Sequence, residues 1–175
     1  LRRFVRETRA KGAYPVLFNS IVRRNFPPEG ATENKGSYEM EGNTLVDTHG
    51  EYLESPRRVA KEMNVPFVDM NKLTHDLVVG MGVEKSRSLF MWVPAGKYDF
   101  CPKGKIDNTH LNIYGGKVVA EIAMEAVAKV VPELAPYVRH HDSEVYVADY
   151  KDDKQCAVSY TFDDGLEEHY TLVFP

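Results

Sequence analysis

The 175-residue sequence is poor in cysteine: Cys101 and Cys156 are the only two. They form neither a disulfide framework nor a metal-ligand spacing, and we read them as free thiols rather than a bridge. No run of roughly 18 apolar residues occurs, which excludes a transmembrane helix. Basic charge is lacking as well. Lys and Arg number 22 against 26 Asp and Glu, a net charge of -4. That balance offers no general attraction to nucleic acid or to an anionic membrane surface. No internal repeat or low-complexity tract appears. What remains, 43% hydrophobic and 27% charged, is the composition of an ordinary globular domain.

Along the chain, Leu1, Phe4, Val5 and Thr8 recur at helical spacing until Lys11-Gly12 stops the pattern. Tyr14 to Asn19 reads as a short buried strand, with Pro15 tolerated only at its start. Residues 24–50 lack apolar periodicity and read as a long loop. A helix is expected over Tyr52–Asn64, a strand over Val65–Met70 and a helix from Asn71 to Met81. Helix–strand–helix–strand–helix order predicts parallel pairing in an α/β layer. Residues 93–109, with Pro94, Gly96, Pro102 and Gly104, read as a second loop. The helix after it is the clearest, with Asn112 as N-cap and Pro132 as its end.

The run Asp107-Asn108-Thr109-His110-Leu111-Asn112 stands at the mouth of that helix. One turn of chain can bring the Asp107 carboxylate to the His110 ring, and an acid that orients a histidine is two thirds of a hydrolytic triad. The plain alternative is an Asp capping a turn and a His capping the next helix. Two other features bear on chemistry. Arg23 and Arg24 could hold carboxylates bidentately, or pair with nearby Glu residues. Trp92 could stack on a ligand's ring or fill the core, and His75 reads as a solvated surface residue.

With Tyr114-Gly115 opening a helix rich in Val and Ala, the Asp107–Asn112 run closely resembles the last conserved block of SGNH (GDSL-type) hydrolases. The wider likeness is to the rhamnogalacturonan acetylesterase branch. It rests on Gly12 to Leu17, Val22-Arg23-Arg24-Asn25-Phe26, Thr48-His49-Gly50-Glu51-Tyr52 and Val65 to Asn71, matching in order and spacing over about residues 1–136. The resemblance implies a flavodoxin-like three-layer α/β fold that removes acetyl groups from plant polysaccharides without a metal. It puts Asp107 in the place of the orienting acid and His110 in that of the general base. It makes His49, Arg23 and Arg24 candidates for substrate contact, the arginines for uronate carboxylates, with Trp92 open to stacking on a sugar ring, and implies an extracellular or periplasmic location. None of Ser20, Ser37, Ser55, Ser86, Ser88, Ser143 or Ser159 lies in the family's G-D-S context. The expectation is therefore residues 1–138 as the C-terminal half of such a domain, lacking its N-terminal strands. The serine would lie outside this chain. The missing surface would be covered by the N-terminal half of the same domain or by a second copy.

After Pro136 the pattern changes to short alternating stretches, so 139–175 is expected to be a linker and the first strands of another, β-containing unit. There Ala157 to Gly165 delivers Asp163-Asp164 into a Gly turn, which resembles the first motif of polysaccharide deacetylases. That likeness implies Asp163 as catalytic base and Asp164 as ligand of a divalent metal such as zinc, completed by later histidines. His169 lies too near the pair to match them. The alternative is a plain Asp-Asp-Gly turn. Three readings follow: a polysaccharide acetylesterase, a metal-dependent deacetylase, and a non-catalytic glycan-binding or assembly fragment.

Overall fold

A computed structural model describes residues 1–31 and 41–138. The first helix, α1 (Arg2–Ala10), buries Val5 and ends at Gly12, whose φ of 75° suits a residue without a Cβ. It leads into β1 (Leu17–Phe18), which pairs in parallel with β2 (Phe67–Val68), Leu17 opposite Phe67 and Phe18 opposite Val68. Between them a 3₁₀ turn (Gly50–Leu53) runs into α2 (Glu54–Met63), which ends on Asn64 in the left-handed conformation. Val5, Val59, Ala60 and Val65 pack together with Leu17 and Phe67 between these helices and strands.

The next helix, α3 (Met70–Ser86), starts where the Asp69 carboxylate accepts the Lys72 backbone N–H at 3.1 Å. Gly82 breaks it, with φ 73° and ψ 177°. β3 (Phe90–Val93) and β4 (Lys105–Leu111) form an antiparallel hairpin. The composition of 93–109 predicts a loop, and its last residues instead belong to β4. The prolines and glycines that gave that impression sit in the connection, and Ile106 and Leu111 continue a strand on its far side. A larger core joins Val22, Phe26, Leu45, Val78, Leu89 and Phe90.

α4 (Ile113–Val130) begins at Asn112, as expected, with the Asn112 side chain accepting the Gly115 N–H at 2.9 Å. The same side chain donates to the Ser88 and Phe90 carbonyls at 2.7 and 2.9 Å, so one residue fixes both the helix start and its attachment to β3. At Gly115 the helix backbone touches the Leu89 carbonyl so closely that a Cβ there would collide with it.

The arrangement is mixed helix and sheet, compatible with an α/β fold. The described residues hold two two-stranded sheets rather than one broad parallel sheet. Residues 139–175 lie outside the described part, and with them the expected second unit, Asp163 and Asp164. Among the described residues no helix is long and apolar enough to cross a membrane.

Candidate functional site

Asp107 to His110 lies in an irregular part of β4. Phe90 pairs with Leu111, yet the next residue, Met91, pairs with Asp107. Asn108, Thr109 and His110 are thus extra residues in β4, a bulge of the kind that re-aims side chains at strand ends. Asp107 builds it from within. Its Oδ1 accepts the backbone N–H groups of Thr109 and His110, both at 2.9 Å, in place of the ladder bonds lost there.

The other carboxylate oxygen, Oδ2, lies 2.8 Å from His110 Nδ1. The same oxygen meets Lys105 Nζ at 2.8 Å. Burial alone would raise the Asp107 carboxyl. The Lys105 ammonium, the two backbone amides and the His110 ring outweigh it and hold the group well below the usual carboxylate range. An ionised Asp107 keeps a proton on Nδ1 and leaves Nε2 as the basic nitrogen. The His110 side chain is 73% exposed, and its Nε2 has no partner among the described residues. The pair can therefore accept a proton from a group brought to it from solvent.

A second acid–histidine pair is built the same way. Asp47 Oδ1 accepts the His49 backbone N–H at 2.7 Å, and Oδ2 lies 3.1 Å from His49 Nδ1. Asn71 Nδ2 donates to that Oδ2 at 2.8 Å. Asn71 in turn donates its backbone N–H to Asn19, whose amide donates to Asp69. Asp69 also takes Arg57 Nη2 at 2.6 Å. Asn19 follows β1, and Asp69 and Asn71 follow β2, so His49 is tied to the carboxyl ends of both parallel strands. Ligand sites of α/β sheets lie at these ends. His49 stands in the Thr48–Tyr52 block, but Asp47 lies just before it and has no part in that likeness. The D-x-H spacing is the feature that could have revealed the pair.

The two arginines separate. Arg23 is exposed, and its Nη1 reaches Thr48 Oγ1 at 3.4 Å, beside His49. Arg24 is fully buried. Its guanidinium donates to Ser86 Oγ at 3.0 Å, to Asn108 Oδ1 at 3.0 Å, to the Val83 carbonyl at 2.5 Å and to both oxygens of Glu41. It is layered between the rings of Phe26 and Trp92, at 5.3 and 5.2 Å. With its five N–H donors engaged in the interior, Arg24 has none to offer a uronate, and that reading of it is corrected. Pairing with a Glu was the alternative, and it occurs in the core rather than on the surface. Val22, Asn25 and Phe26 are buried around Arg24, and its polar partners Glu41, Ser86 and Asn108 come from distant parts of the sequence.

Trp92 belongs to the same interior cluster. Arg87 covers its ring at 4.7 Å, and its Nε1 donates to Asn108 Oδ1 at 2.9 Å. His75 is half-exposed on α3 beside Asp76, at 3.8 Å. Among the described residues no group of three or more His, Cys, Asp or Glu side chains is arranged to hold a metal. No serine hydroxyl among them contacts His110. Ser86 serves Arg24 and the Val83 carbonyl, and Ser88 donates to the Lys85 carbonyl.

A curated rhamnogalacturonan acetylesterase of Bacillus subtilis is 32% identical to this chain over 127 residues, 73% of this chain and 49% of the relative. The chain thus spans about half the length of that relative. No family model matches the chain, and no solved structure matches it. The similarity supports a relationship to SGNH-type hydrolases and, at the family level, to carbohydrate esterases.

Proposed function

We propose that these residues carry the acid–base part of a carbohydrate esterase that removes acetyl groups from a plant-type, rhamnogalacturonan-like polysaccharide. The observation that supports it is the Asp107–His110 contact of 2.8 Å, with His110 projecting from a strand bulge into solvent.

In this reading the nucleophilic serine and the oxyanion donors come from outside these 175 residues. His110 Nε2 takes the serine proton as the hydroxyl attacks the acetyl carbonyl, then returns it to the departing sugar oxygen. In the second half-reaction Nε2 takes a proton from water, whose oxygen attacks the acyl carbonyl; acetate leaves and the serine recovers its proton. Asp107 stays ionised throughout, holding the Nδ1–H and steadying the imidazolium. A metal has no role in this chemistry. The Asp47–His49 pair and Arg23 serve substrate contact: His49 offers Nε2 as an acceptor to a sugar hydroxyl, and Arg23 offers an exposed guanidinium to a uronate carboxylate.

The test joins these residues to the serine-bearing segment in one polypeptide and follows acetate release from an acetylated pectic polysaccharide. Release that His110→Ala abolishes supports the proposal. Release that is indifferent to His110 removes it.

A further inference from the structure

The buried ion cluster behind the site lies outside that chemistry, yet it is attached to the middle of the acid–histidine run. Arg24 grips Asn108 twice. Its backbone N–H donates to the Asn108 carbonyl at 2.8 Å, and its Nη1 donates to Asn108 Oδ1 at 3.0 Å. Trp92 Nε1 adds a donor to the same Oδ1 at 2.9 Å. Asn108 itself is only 5% exposed. Arg24 is held in turn by both oxygens of Glu41, and Arg87 Nη2 clamps Glu41 from its other side at 2.5 Å.

Three bonds of this strength on the residue next to Asp107 do more than fill space. A buried ion pair is weak evidence of stabilisation, because desolvation of the two charges offsets most of their attraction. What such a cluster does supply is one defined arrangement, with its charged groups aimed in fixed directions. Here the arrangement turns Asn108 inward, beside an Asp107 side chain only 9% exposed, while His110 stays open to solvent. Asp107 Oδ1 ties the backbone of Thr109 and His110 from within the bulge, and the Arg24–Asn108 bonds tie the bulge as a whole to the core, where ladder bonds are missing.

We infer that Arg24, clamped by Glu41, is a positioning residue that acts through Asn108 to hold Asp107 and His110 in register. Its value to catalysis rests on the proposed esterase reading. The geometric claim does not, and it is tested on the 175-residue chain without any substrate.

The readout is the tautomer of His110, from the ¹⁵N shifts of its ring in labelled protein, with denaturant unfolding run alongside. The intact chain is expected to favour the Nδ1–H form. Asn108→Ala removes the acceptor that Arg24 and Trp92 share, and the ratio of Nδ1–H to Nε2–H forms should fall roughly tenfold, the size of one lost hydrogen bond. Asn108→Asp keeps an acceptor facing Arg24 and should hold the ratio within about twofold. Trp92→Phe keeps the ring and removes one donor, so it should lower the ratio by a smaller factor, roughly threefold. Because Trp92→Phe is the mildest change, it decides the matter if Asn108→Ala does not fold. Variants that lose stability while the tautomer ratio stays put would overturn the inference and leave the cluster purely structural. That result is distinct from a failure of the esterase reading, in which the ratio responds as expected but His110→Ala leaves acetate release intact.

Discussion

Asp47 holds His49 at two points two residues away, its Oδ1 taking the backbone N–H at 2.7 Å and its Oδ2 lying 3.1 Å from Nδ1. Asp107 does the same to His110 three residues away. Two histidines of one domain thus present Nε2 under carboxylate control. They differ in setting: the His49 side chain is 13% exposed and that of His110 73%. The mostly buried ring suits recognition, and the open one suits proton transfer.

In the active polypeptide His49→Ala is therefore expected to raise KM for the acetylated polysaccharide roughly tenfold, with a smaller change in kcat, as loss of one substrate hydrogen bond would do. A small activated acetate ester should be hydrolysed almost as before. Initial-rate kinetics on both substrates check this, and equal losses on both would place His49 in the chemistry instead.

Arg24→Met should destabilise the fold by about 3–5 kcal/mol, because it leaves Glu41 buried without its main partner. The double variant Arg24→Met, Glu41→Leu should recover most of that loss. Urea unfolding of the two variants beside the parent chain measures both quantities. A single variant within about 1 kcal/mol of the parent would show the cluster to be dispensable.

Acid should loosen the same cluster. Burial alone would raise Glu41, but the Arg24 and Arg87 guanidiniums outweigh it and hold its carboxyl below the ordinary value of 4.5. A depressed carboxyl stabilises the folded state fully above its unfolded value and loses that contribution as pH falls through the folded one. Asp47, Asp69 and Asp107 are lowered likewise. Stability should accordingly be level near neutrality and fall as the pH drops below about 4.5. Glu41→Gln should flatten the upper part of that fall, which unfolding curves across pH will show.

Gly115→Ala should cost about 1–3 kcal/mol, since its methyl would press on the Leu89 carbonyl and push α4 off β3. Gly116→Ala meets open space and should be neutral or slightly stabilising. Thermal unfolding of the two variants gives the comparison, and equal behaviour would contradict the close approach.

Much of this arrangement is legible in sequence because it is local. The Asn112 cap, the glycine stop after α1 and the Asp107–His110 contact each depend on residues within a few positions. The parallel pairing of β1 with β2 follows from the order of helices and strands. The hairpin was hidden because its strands are separated by Pro94, Gly96, Pro102 and Gly104, and because Asp107 to His110 interrupts the alternation of β4. Arg24 was hidden for another reason. A charged residue is placed in a core by partners distant in sequence, here Glu41, Ser86 and Asn108, and no local pattern announces them.

In the proposed reaction His110, steered by Asp107, is the base of an acetylesterase. Acetate release from acetylated pectic polysaccharide, measured for the serine-bearing polypeptide and its His110→Ala and Asp107→Asn variants, tests it most directly. The expected loss is about 10⁶ for His110→Ala and about 10⁴ for Asp107→Asn. Both variants should remain as stable as the parent near neutrality to within about 2 kcal/mol. Folded variants that release acetate at the parent rate would contradict it.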